Sequence, residues 1–176
     1  MVAFSIRQLG VEDFASYRAI RLDALRDHPE AFASGYESAS RRPDSDWREV
    51  LGRLAFFGAI AGDGRLVGIV AFERSDGDKD QHRGWMLQMY VRPELRGTGC
   101  AMALVEALLD HARGQVLQVH LGVGASNTAA IKLYQRAGFE IYGTDPRAFY
   151  VNGRFIDDHF MVRFLDKAPG KTNENE

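Results

Sequence analysis

The chain has 176 residues, 45% of them hydrophobic and 26% charged, which suits one soluble globular domain with a proper core. A formal net charge of −2 carries no general nucleic-acid footprint, and no apolar run approaches the roughly 20 residues that span a bilayer. The single cysteine, Cys100, rules out an internal disulfide and a cysteine metal cluster. Met1 to Gly10 has no signal-peptide layout, so the expected compartment is the cytoplasm, with neither nucleic acid nor membrane as partner.

In chain order, Ala3 to Leu9 alternates weakly and suits an edge strand. Glu12 to Arg26 reads as a helix, with acids in its first turn and His28-Pro29 to end it. A second helix falls within Asp44 to Leu54, with Asp44 or Ser45 as its cap. Ala55 to Ala61 and Leu66 to Phe72 flank Asp63-Gly64, a hairpin signal. Asp76 to His82 is a charged loop, and Trp85 to Val91 is the next strand. A helix to Arg113 follows, with Ala101, Leu104, Val105, Leu108 and Leu109 at helical spacing and Gly114 as stop. Val116 to Val123 is a strand, and Asn127 to Arg136 a short helix closed by Gly138. Phe139 to Gly143, Phe149 to Val151 and Arg154 to Phe164 read as strands, the last two joined at Asn152-Gly153. The unit from Trp85 to Val123 crosses over right-handed and pairs in parallel. The other pairings are antiparallel, which makes a mixed α/β sheet. Residues 1–166 form the expected domain, and 167–176 a polar, disordered tail.

The most informative stretch is strand, glycine loop, helix between Met89 and Arg113. Gly97 and Gly99 lack Cβ, so backbone N–H groups there can approach a ligand closely. The helix start adds orphan N–H donors and the positive end of a dipole, which together make a seat for phosphate. A dinucleotide loop would need a third glycine where Ala101 stands, and a nucleoside-triphosphate loop would need Gly-Lys-Ser/Thr. A glycine turn with no ligand is the other reading of this short string.

Val91-Arg92-Pro93-Glu94-Leu95-Arg96-Gly97-Thr98-Gly99-Cys100-Ala101 resembles the acetyl-CoA loop of the GNAT superfamily of N-acetyltransferases. Asn127-Thr128-Ala129-Ala130-Ile131-Lys132-Leu133-Tyr134-Gln135-Arg136-Ala137-Gly138-Phe139 resembles a second block of the same family, at the expected distance. Arg21 to Leu25 and Pro29 to Glu37 resemble the first helix and loop of a bacterial branch of it. The resemblance implies a mostly antiparallel sheet with a central parallel pair splayed around acetyl-CoA, flanked by helices. It implies acetyl transfer to a primary amine, on a small molecule or a peptide, by direct attack in a ternary complex without a metal. A homodimer is compatible with it.

Residue by residue, the resemblance gives the cofactor's pyrophosphate to the N–H groups of Arg96, Gly97, Thr98, Gly99, Cys100 and Ala101. It gives the pantetheine arm to Met89, Tyr90 and Val91, with Asn127 and Ala130 beside it. A backbone N–H near Met89 is the expected donor to the developing oxyanion. Tyr134 is the expected general acid to the departing thiolate. Cys100 stands where an aliphatic residue is more usual and is expected to be packed and inert.

A general base matters more than the acid if the acceptor is lysine-like. Such an amine, with pKa near ~10.4, is neutral in only about one molecule in 2,500 at pH 7, a cost of roughly 4.6 kcal/mol. An α-amine near ~7.8 costs about 1 kcal/mol. Many relatives place a glutamate on the strand before the loop, but Trp85 to Val91 holds no carboxylate. Glu73 and Glu37 are the candidate bases, with His82 and His120 behind them. Asp157-Asp158-His159 cannot converge if it lies in a strand, because neighbours point to opposite faces. It reads as strand surface with one buried member. Phe32 to Arg42 and the hairpin Phe149 to Phe155 are expected to choose the acceptor, with Phe32, Tyr36, Trp47, Phe149 and Tyr150 as either an aromatic wall or satellite core. Two other classes stay open: a non-catalytic acyl-CoA-binding module and a protein-interaction domain on the same scaffold.

Overall fold

The computed structural model describes residues 3–166; the tail expected at 167–176 lies outside the described residues. Seven strands, β1 (Phe4–Gln8), β2 (Ala55–Ala61), β3 (Leu66–Arg74), β4 (Arg83–Val91), β5 (Gln118–Gly124), β6 (Glu140–Val151) and β7 (Arg154–Phe164), form one sheet in the order β1-β2-β3-β4-β5-β7-β6. The pair β4/β5 is parallel and all others are antiparallel, as the pattern predicts.

Helices cover both faces of the sheet. On one face lie α1 (Phe14–Asp27), α2 (Tyr36–Ser40) and α3 (Asp44–Arg53), whose Ile20, Leu25, Trp47 and Leu51 pack with Phe56, Ile69 and Tyr90 of the strands. On the other lie α4 (Cys100–Ala112) and α5 (Thr128–Arg136), where Leu104, Leu108 and Tyr134 meet Val70, Met86, Val119 and Leu121. Consecutive strand residues face opposite layers, so β2, β3 and β4 feed both cores. Fully burying one of these leucines or isoleucines contributes roughly 1.5–3 kcal/mol.

Three local features differ from expectation. The single-turn helix α2 carries no periodicity that its five residues could show. Helix α3 begins after Pro43 at the cap position, and neither Asp44 nor Ser45 caps it. Strand β6 runs unbroken through residues 144–148, where Asp145-Pro146 suggests a break. A register shift between Asp145 and Phe149, with Arg147 at φ 55°, absorbs the proline as a bulge.

Candidate active site

The site follows from how little of β4 and β5 is paired. Their ladder holds only Arg83–Gln118, Gly84–Val119 and Trp85–His120. Beyond Trp85 and His120 the two strands run on without pairing, to Val91 and Gly124, and leave a gap in the middle of the sheet.

The β4 wall of the gap is bulged. The pairing to β3 shifts between Ile69 and Ala71, and Gln88 adopts φ 54°, a left-handed conformation costly for a residue with a Cβ. Tyr17 Oη donates to Gln88 Oε1 at 2.8 Å and so anchors the bulge to α1. Past the bulge, Arg92 N donates to Val67 O at 2.9 Å. Alternation along an antiparallel strand then turns the backbone groups of Met89 and Val91 to the gap and those of Tyr90 to β3. The Tyr90 side chain is buried in the α1-side core, which leaves it no edge on the gap. The carbonyl of Val91 also accepts from Arg96 Nε at 3.2 Å.

At the end of β4 the loop turns through Gly97 (φ 74°) and Gly99 (φ 88°), conformations that favour glycine. A Cβ at either would meet nothing within 4 Å, so the loop faces open space. Arg96 N donates to Pro93 O, and no backbone carbonyl among the described residues accepts from residues 97–102. The run of free N–H donors therefore begins at Gly97, one residue later than the sequence suggests. No side chain caps α4. These donors, with the dipole of a 13-residue helix behind them, fit a pyrophosphate. The loop is pinned from α1 by Asp23–Arg92 at 2.8 Å and by Arg96 Nη2 to His28 Nε2 at 2.9 Å. The Cys100 side chain points away into the core, and burial pushes its thiol up to about 11.

Asn127 caps α5, its Oδ1 accepting from Ala130 N at 3.2 Å, which leaves its amide nitrogen free for a ligand. Tyr134 is buried in the layer of α4 and α5, edge-on to Phe139, and burial alone pushes its hydroxyl far above the usual range. It stays protonated at any working pH.

The β5 wall of the gap is glycine-rich, with Gly122 and Gly124 facing the α1 layer, as does Trp85 across the ladder. A Cβ at Gly122 would lie 2.6 Å from Asp158 Oδ2, so the glycine makes room for this carboxylate beside the gap. Gly122 is two residues past the last β4/β5 pair, as Leu87 is on β4, which sets Asp158 across from the bulge. Burial, and then Asp145 across the β6 ladder, push the Asp158 carboxyl above the ordinary range. The Asp157–His159 run separates as strand geometry requires. Asp157 accepts from Arg147 N at 2.8 Å, and His159 Nδ1 meets Thr144 Oγ1 at 2.8 Å.

The other titratable candidates sit elsewhere. Glu73 pairs with Arg53 and stands opposite Trp85, at the closed end of the ladder. Glu37 is exposed on α2 and pairs with Arg41. His82 lies in the loop before β4, its carbonyl accepting from Leu117 N. His120 is buried at the vertex, its pKa lowered to about 4 by burial and then by Arg83. Arg83 Nε donates to its Nε2 at 3.3 Å, so the proton is assigned to Nδ1, which faces Tyr142 Oη at 3.2 Å. That imidazole is neutral and tied on both sides.

A cleft of about 700 Å³ opens at the end of β5, between Glu30, Ser126, Arg154, Phe155 and Asp157. Tyr150 and Phe155, 4.9 Å apart, stand exposed at the hairpin tip. Phe32 lies 4.4 Å below the Arg21 guanidinium, and Trp47 is core, 5.5 Å from Tyr17. Sequence reasoning did not single out Gln88, Arg21 or Asp158 for the site. An arginine within the apolar stripe Tyr17, Ile20, Ala24, Leu25 is the signal for Arg21, and the expected buried member of Asp157-Asp158-His159 is the signal for Asp158. Among the described residues no three His, Cys, Asp or Glu side chains group around a metal site, and no helix is long and apolar enough to cross a membrane.

Comparison with known proteins matches this geometry. The family model described as Acetyltransferase (GNAT) family matches residues 19–139. An L-methionine sulfoximine/L-methionine sulfone acetyltransferase of Pseudomonas paraeruginosa is 31% identical, over 92% of this chain and 95% of its own length. A GNAT-family acetyltransferase of Streptococcus pneumoniae shares the fold with a TM-score of 0.82 at 22% identity, over 93% of this chain and all (100%) of that one. The yncA protein of Salmonella typhimurium, solved with its cofactor acetyl-CoA, has a TM-score of 0.80 at 23% identity, over 95% of this chain and 96% of its own. The chain belongs to the acetyltransferase (GNAT) family, enzymes that draw the acetyl group they transfer from acetyl-CoA.

Proposed function

We propose that this enzyme acetylates a primary amine by direct attack, with Asp158 as general base and Tyr134 as general acid. The observation that carries the reading is their placement. Asp158 stands on the α1 side of the unpaired stretch between β4 and β5, over Gly122, and Tyr134 is buried on the opposite, α5 side. An amine arriving from the α1 side meets the base, and the thiol leaves toward the acid. Acetyl-CoA, when bound, supplies the activated carbonyl. The N–H groups of residues 97–101 hold its pyrophosphate, Met89 and Val91 pair with its arm through their gap-facing backbone, and Met89 N–H stabilises the oxyanion. Asn127 orients the arm through its free amide nitrogen.

A carboxyl held above its ordinary value is a stronger base than a solvated one, and the buried Tyr134 phenol keeps its proton until the departing thiolate takes it, as a weaker acid than a solvated phenol. In this reading Glu73 and Glu37 keep their ion pairs and take no part. The relative from Pseudomonas paraeruginosa, named for transfer to methionine derivatives, supports a small amino compound as acceptor. Release of the CoA thiol over a panel of amines tests the reading. Amine-dependent release that falls roughly 10²-fold or more in Asp158→Asn supports it. Release that persists in that variant removes Asp158 from the mechanism.

A further inference from the structure

One buried charged side chain of α1 lacks a counter-charge. Arg21 is 6% exposed, its Nη1 is enclosed without a hydrogen bond, and no carboxylate among the described residues pairs with it. The charged or titratable groups that act on it are the Tyr17 phenol and the cation of Arg42. An arginine cannot escape this by losing its proton at neutral pH: burial lowers it only to about 10. A buried cation without a counter-charge is expensive to keep, so its usual remedy is a partner brought from outside.

The neighbours of Arg21 say where that partner arrives. Arg21 follows Tyr17 by one helical turn, about 6 Å along α1. The Tyr17 hydroxyl holds the carboxamide of Gln88 at 2.8 Å on the β4 bulge, across the gap from Asp158. Phe32, on the loop after α1, lies 4.4 Å under the face of the guanidinium. We propose that Arg21 binds a carboxylate of the acceptor, so that the acceptor is an amine that also bears a carboxylate, as an α-amino acid does. The planar guanidinium matches a carboxylate with two parallel hydrogen bonds, which orients the amine as well as holding the molecule. This rests on reading the cleft as an amine-acetylation site.

The test compares free L-amino acids with the same compounds as α-carboxamides, by thermal shift in the presence of acetyl-CoA and, separately, by thiol release. In the wild type at least one acid should protect the fold where its amide does not. Arg21→Gln should bind that acid about 10- to 100-fold more weakly and treat the amide as the wild type does. Arg21→Lys should recover part of the preference for the acid. Without ligand, Arg21→Gln should melt no lower than the wild type, since an uncompensated charge has gone; Arg21→Lys carries the test if Gln does not fold. Equal protection by acid and amide in the wild type, or by neither across the panel, overturns the carboxylate site whatever the thiol assay reads. Protection by the acid without thiol release keeps the site and overturns the transfer reading.

Discussion

The Tyr17 hydroxyl donates to the Gln88 carboxamide at 2.8 Å, joining α1 to the one residue of β4 with a left-handed backbone. A non-glycine residue in that conformation costs roughly 1–2 kcal/mol, and the hydrogen bond offsets a comparable amount. Tyr17→Phe removes the donor and leaves a partly buried carboxamide unpaired. We expect a loss of about 1–2 kcal/mol in denaturant unfolding and a raised KM for the acceptor, with the KM for acetyl-CoA little changed.

Asp158 connects activity to stability with opposite signs. Its carboxyl is held above the ordinary range, so the folded protein binds this proton more tightly than the unfolded chain does. Ionising it at neutral pH therefore costs the fold stability. Asp158→Asn should melt above the wild type at pH 7, and the difference should vanish as pH falls below the ordinary carboxyl value, where both states are protonated. Thermal melts across that range check this, beside the loss of turnover.

Tyr134→Phe keeps the packing against Phe139 and removes only the proton donor. A thiol of pKa near ~8.5 leaves with little help, so turnover should fall toward the low end of the ~10² to 10⁴-fold range for acid–base groups. Steady-state kinetics should show the change in kcat, with the KM for acetyl-CoA held.

Cys100 has its N–H at the start of α4 and its thiol in the core, held up to about 11 by burial. The folded protein should resist alkylation by iodoacetamide at pH 8, and label only when denaturant opens it. Mass spectrometry before and after unfolding reads this directly.

The glycine loop was legible because its signals are local. Two glycines, a Pro93 turn and the spacing Leu104, Val105, Leu108, Leu109 need no distant partner to be read. The hairpin at Asp63-Gly64 was legible for the same reason, and so was the parallel crossover through α4. The residues around the acceptor were not. Gln88 looks like any polar strand residue until β3 fixes the register that forces the bulge. Strand alternation separates Asp157, Asp158 and His159, but only the order β4-β5-β7 puts the face of Asp158 beside the gap. Glu73 is near in sequence to a central strand, yet its register opposite Trp85 places it at the closed end.

Gly99 is where the account is most exposed. Its φ of 88° and the open space above it fit a loop that a ligand approaches closely. Gly99→Ala should cost roughly 1–2 kcal/mol in strain and weaken acetyl-CoA binding.

Calorimetric titration with acetyl-CoA, on the wild type and on Gly99→Glu, tests the seat most directly. Saturable binding by the wild type at one site per chain, abolished in a folded Gly99→Glu, is the predicted result. Undiminished binding in that variant would contradict the placement of acetyl-CoA at this loop and in the gap beside it.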